Sequence, residues 1–217
     1  MRLRGTIFSG GHGHPFVETS AALSERLGRR DWTTTTVLAF DDMLQGLGDT
    51  DVLVVNALYW SMTQHDKYAS FREALAFWAL DEQIERLEDW VARGGRLLAM
   101  HTACLCFDTQ PRWLGLLGGG WAWGVSHHPP LGPVTIELAS GATFDLVDEV
   151  YHHLSPIPEV ALWAHGVAGD GPQPIAWTRQ FGEGRVAVDA LGHDRRSLDA
   201  PPHRALIDGL LDWLADR

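Results

Sequence analysis

Histidine changes charge near neutral pH and is the commonest metal ligand, and this 217-residue chain carries 11 of them. Their positions say more than their number. His12 and His14 follow the apolar run Gly5-Thr6-Ile7-Phe8, His101 follows Arg96-Leu97-Leu98-Ala99-Met100, His165 follows the run that begins at Val160, and His193 follows Leu191-Gly192. In open α/β sheets, ligands bind beyond the carboxyl ends of the strands, near the point where strand order reverses. His101 and His193 are therefore candidates for proton transfer, and His14 for substrate contact. The segment Asp148-Glu149-Val150-Tyr151 supplies carboxylates to orient or partner an imidazole. Asp148 and Tyr151 would share a side of a helical turn, whereas Glu149 and Tyr151 would share a side of a strand. The glycine-preceded loop from Trp121 to Pro130 carries His127 and His128. Adjacent side chains point apart in extended chain, and His127 is the one assigned to the site. Trp60, Trp121 and Trp123 offer flat apolar faces to a bound ligand, with Tyr151 as a further substrate contact.

Other chemistries fit less well. The turn Gly10-Gly11-His12-Gly13-His14-Pro15 fails the count of a phosphate-binding loop, and Pro15 removes a backbone N–H that an anion would need. Arg96 to Cys106 has the strand–turn–helix form of a nucleophile elbow, but His101-Thr102-Ala103 stands where Ser or Cys is required. Cys104 and Cys106 are the only cysteines; their C-x-C spacing suits neither a disulfide framework nor a C-x-x-C redox pair, and a reducing, cytoplasmic setting is expected. No H-x-x-x-H or H-E-x-x-H pair marks a metal site. A divalent metal would have to be assembled over long range, with His101, His127 and His193 as its ligands, and no other cofactor is indicated.

These residues need a scaffold, and the sequence describes one. Strand-like runs at 5–8, 33–40, 51–56 and 96–100 alternate with a helix from about Phe16 to Gly28 and one from Glu82 to Arg93 capped by Asp81, with an irregular aromatic stretch at 57–80. Further strands at 134–138, 160–163, 175–179 and 185–189, a hairpin at 181–185 and a helix from about Pro202 complete the pattern. The expectation is an α/β fold with one domain over residues 1–217, an open, mostly parallel sheet and helices on both faces. Lys+Arg 17 against Asp+Glu 28 gives a net charge of −11, which disfavours nucleic acid and anionic lipid. No apolar run reaches the ~20 residues a membrane span requires. A homo-oligomer is compatible with the sequence.

The succession Gly13-His14-Pro15, Val91-Ala92-Arg93-Gly94-Gly95-Arg96-Leu97-Leu98-Ala99-Met100-His101, Trp113-Leu114-Gly115-Leu116-Leu117-Gly118-Gly119, Asp148-Glu149-Val150-Tyr151, Trp177-Thr178-Arg179, Gly182-Glu183-Gly184-Arg185-Val186 and Leu191-Gly192-His193-Asp194 resembles the ThuA-like family of trehalose-utilization proteins. The resemblance implies a flavodoxin-like fold related to class I glutamine amidotransferases, without their cysteine. It also implies a role in the catabolism of trehalose, related disaccharides or their 3-keto derivatives. One family feature, a His-Pro pair before Asp-Glu-x-Tyr, is replaced here by Leu138-Ala139-Ser140-Gly141. Three functional readings follow: a lyase, hydrolase or isomerase using His/carboxylate acid–base chemistry on a sugar, a non-catalytic sugar-binding or assembly module, and a metal-dependent hydrolase.

Overall fold

The computed structural model describes residues 2–169 and 171–216. Val52-Leu53-Val54-Val55-Asn56-Ala57-Leu58 is buried at every position, as expected of a strand covered on both faces. Around it the chain runs β1 (Arg4–Gly11), α1 (Phe16–Arg29), β2 (Thr33–Val37), α2 (Phe40–Gln45), β3 (Val52–Leu58), α3 (Ala69–Leu75), α4 (Asp81–Ala92), β4 (Arg96–Met100) and α5 (Pro111–Leu117). It continues through β5 (Gly132–Leu138), β6 (Thr143–Asp148), β7 (Ala161–Ala168), β8 (Gly171–Phe181), β9 (Gly184–Asp189), α6 (Arg195–Asp199) and α7 (Pro201–Ala215). No helix among the described residues is long and apolar enough to cross a membrane.

The strands form one 9-stranded sheet in the order β2-β1-β3-β4-β9-β8-β7-β5-β6. From β2 to β9 every pairing is parallel, and from β9 to β6 every pairing is antiparallel. The expectation of a mostly parallel sheet is thus corrected: the βαβ alternation holds only for the first half. The hairpin at Phe181–Gly184, with Gly182 at φ +60°, reverses the direction between β8 and β9. A tight hairpin cannot join parallel strands.

Right-handed crossovers carry the connection leftward from β1 to β2 and rightward from β2 to β3 and β3 to β4. This places α1 on one face and α2 and α4 on the other. The connection leaving β1 runs leftward and that leaving its neighbour β3 runs rightward, so the crevice beyond their carboxyl ends is the switch point of the sheet. The hydroxyl of Ser20 on α1 donates to Ser9 of β1 at 2.7 Å, and the Asn56 side-chain amide of β3 donates to Thr19 and Ser20 at 2.9 and 2.8 Å. Four buried polar groups are satisfied in this way, and α1 is fixed over the two strands that bound the crevice.

Trp113 and Trp177 are fully buried, and each indole N–H finds a carbonyl, Ala103 O at 2.9 Å and Leu117 O at 2.8 Å. Truncating a buried tryptophan of this kind costs roughly 3–5 kcal/mol. Several local readings shift. The run at 33–40 ends as a strand at Val37, and Phe40 opens α2. Helix α4 begins at Asp81 itself, capped at Leu80, whose N–H donates to Gln83 Oε1 at 2.8 Å. The stretch 57–80 contains a short 3-10 turn at Asp66–Tyr68 and then α3.

β6 is the far edge of the sheet, four positions from β9, and ~19 Å would separate them in a flat sheet at 4.8 Å per strand. Yet the Gly192 N–H, just past β9, donates to Asp148 Oδ2 at the end of β6 at 2.8 Å. The antiparallel half therefore curls until its edge meets the end of β9.

Candidate active site

Each side chain at the crevice is set by the element that ends there. β1 finishes in Gly10 and Gly11, both at positive φ, and a Cβ on Gly11 would lie 2.0 Å from the Leu58 carbonyl oxygen. Only glycine lets this turn cross the end of β3. The turn delivers His14, and Pro15 then caps α1. β4 ends at Met100, and His101 follows at φ 45°, a left-handed conformation that is costly for a side-chain-bearing residue and that the surrounding packing must hold. Glu149 and Tyr151 follow β6, and His193 follows β9.

Four of the sequence candidates converge. One ligand-capable atom from each of His14, His101, Glu149 and His193 lies within 4.8 Å of the others. Glu149 Oε2 is 3.2 Å from His193 Nδ1, 3.6 Å from His101 Nε2 and 4.0 Å from His14 Nε2. His101 Nδ1 faces the Ala190 carbonyl at 2.9 Å, which can only accept, so the proton sits on Nδ1 and the Nε2 lone pair faces the cluster. The Tyr151 hydroxyl donates to that Nε2 at 3.0 Å, and the two rings stack at 4.7 Å. Burial works against ionised Glu149, but the imidazoles of His101, His14 and His193 outweigh it and hold the carboxyl far below the usual range. Burial also lowers the pKa of His14 and favours its neutral form, while the nearby Glu149 raises that of His193.

The remaining candidates divide. A cavity of about 230 Å³ opens beside the cluster, lined by His12, His14, Trp60, Tyr68, Trp123, His128 and Tyr151 among others. Trp60 is fixed by its carbonyl, which accepts from Phe77 N–H at 2.8 Å, and by Ser61, whose N–H and hydroxyl donate to Asp108 at 2.7 and 2.6 Å. Trp121 stands behind this wall, edge-on to Tyr151 at 5.3 Å, and does not line the cavity. The structure places His127 away from the cluster: it forms a bridge with His152, their rings 4.6 Å apart. Its neighbour His128 faces inward instead, with Nδ1 3.5 Å from Glu149 Oε1. His101 and His193 thus meet His14 and Glu149, and not His127.

Asp148 also stands apart from the crevice. Its fully buried carboxylate accepts from the backbone N–H groups of Glu149 (2.7 Å), Gly192 (2.8 Å) and His193 (3.2 Å), and from the Ser197 hydroxyl. It fastens the Glu149 segment to the His193 segment. Behind it, Ser197 contacts His203, whose Nδ1 donates to the Ser197 carbonyl at 3.0 Å and whose Nε2 donates to Asp189 at 3.0 Å. Both ring nitrogens face acceptors, so His203 is an imidazolium. Burial alone would lower its pKa, but the charges of Asp189 and Asp148 raise it. Sequence reading passed over His203; the available signal was its place on the apolar face of α7 with Leu206, Leu210 and Leu214.

Cys104 and Cys106 are buried, and burial pushes the Cys104 thiol up and the Cys106 thiol to about 12. Thiolate is the reactive form. Iodoacetamide at mildly alkaline pH is thus expected to leave both intact in the native protein and to label both after denaturation. Mass spectrometry would show this, and native labelling of either would contradict the packing described.

Residues 4–214 match the family model for ThuA, described as trehalose utilisation. The chain belongs to the ThuA family. Among solved structures, a putative ThuA-like protein from Parabacteroides merdae superposes with a TM-score of 0.78 at 12% identity, over 100% of this chain and 91% of that one. A second, from Bacteroides uniformis, gives 0.73 at 15% identity, over 100% and 92%. A β-galactosidase from Bacillus circulans gives 0.62 at 16% identity, but this ThuA-family chain, 98% covered, corresponds to only 31% of that enzyme. At these identities the likeness is one of fold. No curated protein matches the sequence.

Proposed function

We propose that this ThuA-family chain is an enzyme of carbohydrate breakdown that acts on trehalose, a related disaccharide or its 3-keto derivative, with its reaction centre at His14, His101, Glu149 and His193. The observation that carries this reading is the convergence of four proton-exchanging side chains beside an aromatic-walled cavity. His101 Nε2, with its lone pair directed inward, is the base. His193, charged beside Glu149, is the acid, and the Tyr151 hydroxyl relays a proton between His101 and the substrate. Trp60 and Trp123 hold the apolar face of a sugar ring. At about 230 Å³ the cavity is smaller than the ~300–1,000 Å³ of sites for drug-sized ligands, so one ring lies inside and a second outside.

The test is a thermal melt of the purified chain against trehalose, its 3-keto derivative and single-ring sugars, with NMR detection of products from any sugar that raises Tm. A sugar that stabilises the chain and is converted by wild type but not by His101→Ala supports the proposal. Stabilisation without conversion favours a binding module, and no response to any sugar overturns the carbohydrate assignment.

A further inference from the structure

The cluster has features that proton transfer leaves unexplained. His14 is half-buried with both ring nitrogens shielded from solvent, yet neither has a hydrogen-bond partner, and the same is true of His193 Nδ1 although a carboxylate oxygen lies 3.2 Å away. Buried polar groups are nearly always paired, and leaving one unpaired costs roughly 1–3 kcal/mol. His14 Nε2 and His193 Nδ1, one atom from each ring, lie on the side of the same Glu149 oxygen without a made bond, so they share a common point with His101 Nε2. The imidazole planes cross steeply in every pairing, at 69° for His14 with His101, 63° for His14 with His193 and 82° for His101 with His193.

We propose that His14, His101, His193 and Glu149 bind one divalent transition-metal ion of the zinc class. The inference rests on the site of the reading above and adds the identity of its cofactor; with the ion bound, the lone pairs of His101 and His193 are ligands, and the Tyr151 hydroxyl is the group left to move a proton. Bonds of ~2.0–2.1 Å in tetrahedral geometry set neighbouring ligand atoms ~3.3 Å apart. The distances from Glu149 Oε2 to the three imidazoles, 3.2, 3.6 and 4.0 Å, bracket that edge length. Three imidazoles and one carboxylate suit zinc, cobalt or nickel, whereas magnesium and calcium require oxygen ligands. The outer partners that orient metal ligands are also in place. The Ala190 carbonyl fixes His101 with its Nε2 lone pair inward, and Asp148 anchors the backbone of both Glu149 and His193. An ion at this point would act as a Lewis acid on a substrate oxygen. It would also take the lone pair that the Tyr151 hydroxyl now occupies, leaving that hydroxyl to the cavity it lines.

The full chain, stripped with chelator and titrated calorimetrically with zinc, should bind one equivalent, and cobalt should give the visible absorption of a nitrogen/oxygen-ligated ion. Magnesium should give no heat. Asp148→Asn, which alters the anchoring and also removes a buried charge near Ser197 and His203, should weaken zinc binding of the folded chain about 10–100-fold, and His193→Ala and Glu149→Gln should weaken it further. His127→Ala should bind as wild type does. Absence of a stoichiometric zinc site in the folded wild-type chain overturns the proposal, as does retained affinity in both ligand variants. These measurements use no sugar, so a failed sugar assay leaves the metal proposal standing, and failed metal binding leaves the carbohydrate reading standing.

Discussion

Glu149→Gln is expected to slow turnover about 10²–10⁴-fold, the range that a positioned acid–base group contributes, while the chain stays folded. The substitution conserves shape and removes the one charge that lies within 4.0 Å of His14, His101 and His193 and at 3.5 Å from His128. Without it, His193 loses the largest cause of its raised pKa. The expected signature is a fall in kcat larger than any rise in KM, because the carboxylate acts on charge that develops during reaction more than on the bound sugar. Turnover within threefold of wild type would remove Glu149 from the reaction.

The second large effect is on stability. His203→Ala should destabilise the fold by about 3–5 kcal/mol, since it leaves the buried Asp189 without its cation and with only the Leu191 N–H as partner among the described residues. The dependence on pH gives this prediction its particular form. The folded-state pKa of His203 lies above its ordinary value of 6.5. Its contribution is therefore complete below that value and declines as pH rises through the folded-state pKa. Urea unfolding at several pH values should show the gap between wild type and variant widest in mildly acidic solution and narrower toward alkaline pH. A gap that is constant, or that grows with pH, would show that His203 is neutral in the fold.

The site residues differ in how far the sequence could reveal them. His14, His101 and His193 were legible because each follows a short apolar run that ends abruptly, and strand ends are where an α/β sheet places its ligands. Glu149 and Tyr151 were legible as alternate residues of an extended segment. His128 and not His127 faces Glu149, because side-chain parity along a loop is fixed by a long-range contact, the bridge of His127 to His152. Asp148 was named for chemistry, whereas its carboxylate is consumed by backbone N–H groups from two segments that lie far apart in sequence. The fold shows the same division. The βαβ pattern described the first half, but apolar runs such as 175–179 carry no mark of direction, and the apolar alternation of β6 is confined to Phe144 and Leu146 beside the acidic Asp148-Glu149 turn.

The curl that brings the end of β6 to the end of β9 has a consequence for synthesis. Ligand-capable residues at 14, 101, 149 and 193 come from nearly the full length of the chain. No fragment that stops before His193 contains the centre, and half a sheet cannot hold a weaker version of it. A nascent chain would assemble the cluster only after its last strand had docked, and a stalled or truncated product would lack it. Because contacts of such long range form slowly, the appearance of ligand binding during refolding would time the final closure of the molecule and not the earlier assembly of its parallel half.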